Sequence, residues 1–350
     1  MIQQITGGWQ VQGRSNRQTV NSGRRRLWHL LRLASFTMVS TLVQADWYHY
    51  TDTAMTTAID LEFWAEDKAF ADRTASRVLS VFQEVDQQMS RYREDSELSR
   101  VNREAADHPV VVSDGLFRVL EKAQEVSELS GGAFDISFGS VGYLYDYRTG
   151  HQPSDADIQS RLEHINYRDI VLDREKSTVS YRQHGLLADL GGIAKGYSVD
   201  LGMERLQQAG IRHARLSAGG DMRLLGDRRG RPWIVGVRDP RAEERKAVVL
   251  PLSDTAVSTS GDYERFFIDD QGNRVHHILS PGTGKPVRGV QSVTILGPNA
   301  LTTDGLSTAV FVLGPERGLE MINRLPGIDA IIIDDNRKMY YSEGLQSPEQ

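Results

Sequence analysis

The stretch ARLSAGGDMRLLGDRRGRPWIVGVRDP, residues 214–240, decides the fold class. It holds three β-rich runs, at 214–217, 222–225 and 233–238, separated only by glycine-containing turns. No helix-length segment separates them. Two more runs follow at 248–252 and 256–258. The runs 266–268 and 275–278 flank Asp269-Asp270-Gln271-Gly272-Asn273, a hairpin-loop pattern. Strands are also expected at 292–296, 330–333 and 56–65, with a hairpin within 168–187 around residues 173–176. Helices interleave with them. From 66 to 89 the apolar positions Val78, Val81, Phe82, Val85 and Met89 recur at three and four. Ser113-Asp114 can cap a second helix, with Val119, Leu120, Ala123 and Val126 inward, and Gly131-Gly132 stops it. A third follows Gly196 and ends at Gly210. Two more are expected at 300–313 and 316–324, and the polar tail from Ser342 is expected to fray. Strands and helices mixed without strict βαβ alternation give an α+β class with largely antiparallel sheets.

Of 350 residues, 39% are apolar, which supports a sizeable core in one large domain or two interleaved lobes. A net charge of −6 offers no basic stripe for a nucleic-acid partner. The absence of cysteine excludes disulfides, thiolate zinc sites and thiol catalysis. Residues 1–23 are polar. Arg24-Arg25-Arg26 then precedes an apolar run at 27–43, interrupted by His29 and Arg32 and ending Val43-Gln44-Ala45. That is the pattern of a signal peptide and implies export to the periplasm; an ordinary buried helix is the alternative. The run is short for a membrane span and carries an arginine. The expected division is a disordered leader plus signal peptide over 1–45, one domain over 46–341 and a polar tail over 342–350.

Several segments carry chemistry. Asp304 and Thr308 stand four apart on a helix, so a carboxylate and a hydroxyl project from one face, the kind of oxygen pair that Mg²⁺ accepts. Read alone, the pair also fits a solvated helix surface. The segment Ala188-Asp189-Leu190-Gly191-Gly192-Ile193-Ala194-Lys195-Gly196-Tyr197 reads as an acid ending a strand, a glycine turn and a lysine opening a helix. Such a turn favours phosphate, though neither nucleotide-loop spacing is present. Gly131-Gly132-Ala133-Phe134-Asp135 ends a helix on an acid, and its Phe serves either the core or a planar ring. Ser258-Thr259-Ser260-Gly261-Asp262-Tyr263 is a hydroxyl-rich loop, and Ser217-Ala218-Gly219-Gly220-Asp221 a tight turn that reads as structural. In His276-His277-Ile278-Leu279-Ser280-Pro281-Gly282-Thr283-Gly284, adjacent histidines point opposite ways, so one at most faces a site.

Taken together, residues 89–99 (MSRYREDSELS), GGAFD, DLGGIAKGY, AGGD, STSGDY, HHILSPGTG and TTDGLSTAV stand in the order that resembles the ApbE-type FAD:protein FMN transferases, from about residue 55 to 333. The resemblance implies two lobes facing a flavin cleft and transfer of FMN from FAD, the substrate, onto a threonine or serine of a target protein, with Mg²⁺ as cofactor. It implies FAD contacts from Met55, Tyr92, Ala133, Phe134, Asp135, Asp189, Lys195 and Leu279. It implies metal contacts from Gly192, Asp304, Ser307 and Thr308, and acid–base work by His277. Acceptor proteins in membrane redox complexes are implied as partners. The sequence departs from the family's H-x-x-D-P at Ser280. A serine there can orient the turn through a side-chain to backbone bond, while a lost carboxylate keeps FAD binding without turnover open as an alternative; FAD hydrolysis, with water attacking at the same metal site, is the other. Asp304 is expected to face the surface, with little packing to lose on substitution.

Overall fold

In the computed structural model, which describes residues 45–346, the chain begins as a hairpin. Strands β1 (Asp46–Ala54) and β2 (Thr57–Ala65) pair from Asp46↔Ala65 to Ala54↔Thr57. On β2, Ile59, Leu61, Phe63 and Ala65 are buried and the residues between them are not, the two-residue period of a strand with one face on a core. The expected leader lies outside the described residues apart from Ala45, as do the last four residues of the tail. Among the described residues no helix is long and apolar enough to cross a membrane.

The remaining elements follow in order. Helix α1 (Lys68–Met89) is capped by Asp67, whose carboxylate accepts the Phe70 N–H. Then come α2 (Glu97–Glu104), β3 (Val110–Val111) and α3 (Asp114–Leu129), the last capped by Ser113 as its sequence implies. Short helices α4 (Gly139–Gly142) and α5 (Asp155–Leu162) lead to the hairpin β4 (Ile170–Asp173) and β5 (Thr178–Tyr181). Helix α6 (Ala194–Gln208) precedes β6 (Ala214–Ala218), β7 (Asp221–Leu225), β8 (Trp233–Asp239), β9 (Ala242–Leu252) and β10 (Ala256–Gly261). Next are β11 (Phe266–Ile268), β12 (Arg274–His276), β13 (Val290–Gly297), α7 (Ala300–Ile322), β14 (Asp329–Asp334) and β15 (Met339–Tyr341). Helix α7 is interrupted at Gly314 (φ 78°) ahead of Pro315, the break expected between 313 and 316.

Eight strands form one sheet in the order β1-β2-β6-β7-β10-β13-β14-β15, with every neighbouring pair antiparallel. The α+β class with antiparallel sheets is therefore correct. Two adjoining apolar clusters make the core. One gathers Phe63, Phe82, Met203 and Leu216; the other gathers Leu116, Leu120, Phe311 and Ile332. Helices α1 and α6 contribute to both, which ties the halves together.

The sequence does not announce β1, α2, β3, α4, α5 or β15, most of which are short or polar and take their order from neighbours. Two expectations are corrected. No strand ends at Asp189, since residues 186–190 run without a ladder partner. Ser342 is buried rather than frayed, with its Oγ donating to Asp329 Oδ1 at 2.7 Å and accepting the Ala330 N–H at 3.0 Å.

Helix α7 starts against α6. Asp200 of α6 accepts the N–H groups of Ala300 (2.9 Å) and Leu301 (2.8 Å) and a guanidinium N–H of Arg223 (2.8 Å). A carboxylate from one helix thus caps the next, where orphan N–H groups and the helix dipole both favour negative charge. Replacing Asp200 by Ala strands all three donors. We expect a loss of roughly 3–5 kcal/mol in urea unfolding, and a smaller loss for Asp200→Asn, which keeps one acceptor.

Candidate active site

A cavity of about 510 Å³ opens where the turns of several elements meet. Its walls come from the β1–β2 hairpin tip, the turn after α1, the turn after α3, the glycine turn before α6, the end of β10, the segment leaving β12 and the middle of α7. The hairpin tip is strained. Met55 (φ 51°) and Thr56 (φ 59°) both occupy the left-handed region, which in two-residue hairpins usually belongs to Gly, Asn or Asp. Backbone strain of this kind gathers at functional sites.

The deepest feature is a cluster of charge. Lys195 Nζ lies 2.6 Å from Asp221 Oδ2 and 3.5 Å from Asp304 Oδ2. Asp304 Oδ2 also accepts the Gly196 N–H at 2.9 Å. Both carboxylates are at least 97% buried, since Asp221 is 2% exposed and Asp304 3%. The expectation of a surface-facing Asp304 is thus overturned: α7 carries it inward against the start of α6. Burial, then the neighbouring Asp221, pushes the Asp304 carboxyl above the usual range, while Lys195 and the Gly196 N–H pull it back. Two acids and one ammonium leave one negative charge unmatched.

Hydroxyls continue from this cluster. Thr308, one turn beyond Asp304, has its Oγ1 3.3 Å from Ser260 Oγ, which lies 2.7 Å from Ser307 Oγ. Gly192 abuts Thr308, because a Cβ on Gly192 would come 3.2 Å from Thr308 Oγ1. A carboxylate, hydroxyls and the backbone of a glycine turn form an all-oxygen donor set, and with the unmatched negative charge it fits a hard cation that keeps water or phosphate in its remaining positions. Among the described residues no three His, Cys, Asp or Glu side chains come together as a metal cluster, so a cation here would depend on these neutral oxygens.

The glycine turn is pinned. Asp189 Oδ1 accepts the Gly191 N–H at 2.8 Å, and Asp189 Oδ2 lies 3.1 Å from Arg91 Nε. Arg91 lies over the rings of Tyr92 and Tyr143, 4.4 Å from each centroid. Tyr92 stands at the cavity mouth with 63% of its surface exposed, while Phe134 is buried and forms both core and cavity wall.

The two histidines face opposite ways, as neighbours in extended chain must. His276 is buried, its Nε2 donating to Val287 O at 2.8 Å and its ring edge-on to Phe311. His277 lines the cavity, with Nδ1 3.3 Å from Arg265 O. A carbonyl can only accept, so Nδ1 carries the proton and Nε2 keeps its lone pair. Burial, then the Arg265 guanidinium, holds this imidazole well below its usual value and therefore neutral at pH 7. Ser280 holds its turn through backbone bonds, donating N–H to Lys285 O (2.8 Å) and accepting from Gly284 N–H (2.8 Å). The turn therefore keeps its shape without an acid at 280.

Met55, Tyr92, Ala133, Phe134, Asp135, Asp189, Gly192, Lys195, His277, Leu279, Asp304 and Thr308 all line this one cavity. Ser307 does not; it sits fully buried behind Ser260, its Oγ donating to Asp304 O at 2.9 Å. Asp135 lines the cavity, but its carboxylate is engaged within the protein, accepting from the Ser137 N–H (2.8 Å) and the Tyr167 N–H (2.8 Å). Three residues escaped the sequence reading. Asp221 reads in the sequence as part of a structural turn. Ser260 reads as loop, whereas it lies on β10. Arg91 sits inside MSRY, and a basic residue between a helix end and a tyrosine is its only local sign.

The ApbE family model matches residues 55–332. The FAD:protein FMN transferase of Vibrio cholerae is 32% identical over 329 residues, covering 91% of this chain and 97% of the relative. That of Treponema pallidum is 35% identical, over 77% of this chain and 79% of the relative. Among solved structures, the ApbE protein from Thermotoga maritima superimposes with a TM-score of 0.79 at 32% identity, covering 85% of this chain and 98% of that one. The chain, with this cavity at its centre, belongs to the ApbE family.

Proposed function

We propose that this protein is a Mg²⁺-dependent FAD:protein FMN transferase that acts after export to the periplasm. The observation that carries this reading is one cavity lined both by a buried cluster of acids, lysine and hydroxyls beside a glycine turn and by the aromatic side chains Tyr92 and Phe134. FAD combines the same two characters, a charged pyrophosphate and a planar ring system. The curated names of the relatives support the same activity.

Asp304, Thr308 and the Gly192 backbone would hold Mg²⁺, with Ser307 supporting Thr308 through Ser260 rather than facing the ion. Mg²⁺, when bound, offsets the pyrophosphate charge. Lys195 stays cationic between its two acids and favours the anionic phosphates, as does the start of α6. Tyr92 and Phe134 provide apolar surface for the isoalloxazine. His277 Nε2 takes the proton of an acceptor threonine or serine hydroxyl as its oxygen bonds to the FMN phosphorus. The bond from that phosphorus to the bridging oxygen breaks, and its electron pair leaves with AMP. FMN remains on the acceptor as a phosphoester, with no change of oxidation state. The basic and apolar leader supports export, and exported acceptors such as the flavin-bearing subunits of membrane redox complexes suit that location.

The full chain is incubated with FAD, Mg²⁺ and a threonine-bearing acceptor domain, and the acceptor is weighed by intact mass spectrometry. A Mg²⁺-dependent gain of one FMN less water is expected. Free FMN and AMP with an unchanged acceptor would replace the transferase by a hydrolase, and intact FAD would leave a binding protein.

Three substitutions sharpen the assignment. Asp304→Asn keeps an acceptor for the Gly196 N–H but removes the charge, and is expected to lower transfer at least about 100-fold in that mass assay. Asp304→Ala also orphans the buried Gly196 N–H, so it should cost about 1–3 kcal/mol of stability as well, read by urea unfolding. His277→Gln is expected to reduce kcat by about 10²–10⁴-fold while FAD binding changes little, checked by single-turnover mass spectrometry.

A further inference from the structure

The turn after α1 and the glycine turn before α6 are far apart in sequence, and Arg91 joins them. Its guanidinium is held on three sides. Asp189 lies at 3.1 Å from Nε, and the Tyr92 and Tyr143 rings lie 4.4 Å from the guanidinium carbon. Arg91 also donates to the Tyr92 hydroxyl at 2.8 Å. The Arg91 and Asp189 side chains are only 16% and 15% exposed, although both line the cavity. Burial works against the guanidinium charge, and Asp189, Tyr92 and Tyr143 together more than offset it.

The two ends of this link differ in firmness. The glycine-turn end is anchored independently: the Ala188 N–H donates to Asn102 Oδ1 (2.8 Å), Tyr143 Oη donates to Ala188 O (2.8 Å), and the Asp189 N–H donates to Ile136 O (2.8 Å). The Tyr92 end is not. Its ring is 63% exposed and gains little from burial. Its contacts are with cations, Arg91 over the ring and Arg148 farther off at 5.9 Å. An exposed tyrosine otherwise samples several rotamers. Arg91 therefore transmits the fixed position of the Asp189 turn to an exposed aromatic ring whose other cation contact, Arg148, is farther off.

We propose that Arg91 is a positioning residue for FAD: it sets the Tyr92 ring at a fixed distance from the Asp189–Gly192 turn, and so governs how firmly the flavin half of the substrate is held rather than how fast the phosphoryl bond is exchanged. The inference rests on the reading that Tyr92 faces the isoalloxazine and the glycine turn faces the pyrophosphate. Only a planar guanidinium can lie across two rings while an edge N–H reaches a carboxylate; a lysine ammonium is a point charge and cannot do both.

The test compares the full-length parent with Arg91→Lys and Arg91→Met. FAD binding is read as quenching of flavin fluorescence without Mg²⁺ or acceptor, transfer as KM for FAD and kcat, and folding as the urea midpoint. For Arg91→Lys we expect Kd and KM for FAD to rise roughly tenfold, with weaker quenching at saturation and kcat within about twofold of the parent. Arg91→Met should rise further, because Asp189 then loses its charge partner. Should Arg91→Met fail to fold, Arg91→Lys decides. Parent-like Kd, KM and quenching in Arg91→Lys overturn the proposal. So does a fall in kcat and urea midpoint at unchanged KM, the mark of a merely structural role. A parent that neither quenches FAD nor transfers FMN sinks the functional reading itself, whatever the variants do.

Discussion

The hydrogen bond from the Gly196 N–H to Asp304 Oδ2, at 2.9 Å, is the contact on which the site depends. It exists because Gly196 has no side chain. A Cβ there would sit 2.2 Å from Ala300 O and 2.7 Å from Asp304 Cβ. Helix α6 can therefore touch α7 backbone to backbone, and Asp200 fastens the same pair by capping the start of α7. Once the helices are in register, Lys195, Asp304 and Thr308 have little freedom left, and Gly192 is drawn against Thr308 by the turn that opens α6.

That contact brings an electrostatic cost with it. Two carboxylates out of water beside a single ammonium leave an uncompensated negative charge, and the raised Asp304 pKa expresses it. The proposed Mg²⁺ would relieve this tension. The neutral hydroxyls of Ser260 and Thr308 add acceptors without adding more charge. A cation held this way would rest on few carboxylates, and among the described residues no three acids or histidines cluster as a metal site.

Much of this was legible in the chain. The three-and-four period of Val78, Val81, Phe82 and Val85 marked α1, and each of these residues is buried. The Ser113 cap, the Gly131-Gly132 stop and the break before Pro315 fell where turn and capping chemistry put them. The i,i+4 relation of Asp304 and Thr308 correctly put both on one face, and the opposition of His276 and His277 correctly allowed only one into the cavity. What was misread shares one property. Locally, Asp304 reads as exposed, Ser342 as frayed, Asp221 as structural and Ser260 as loop, and each is defined by a partner from another segment.

The sequence by itself determined the local order: which segments are helix or strand, where they start and stop, and which residues share a face. These follow from φ/ψ preferences, caps and apolar periods, which act over a few residues. The tertiary structure alone decided which face is buried and which charges meet. The Lys195–Asp221 contact spans 26 positions and Lys195–Asp304 spans 109. No local period carries such a pairing. It arises only when the sheet and the α6–α7 contact place three chain segments at one point, where the loss of water makes each charge depend on the others.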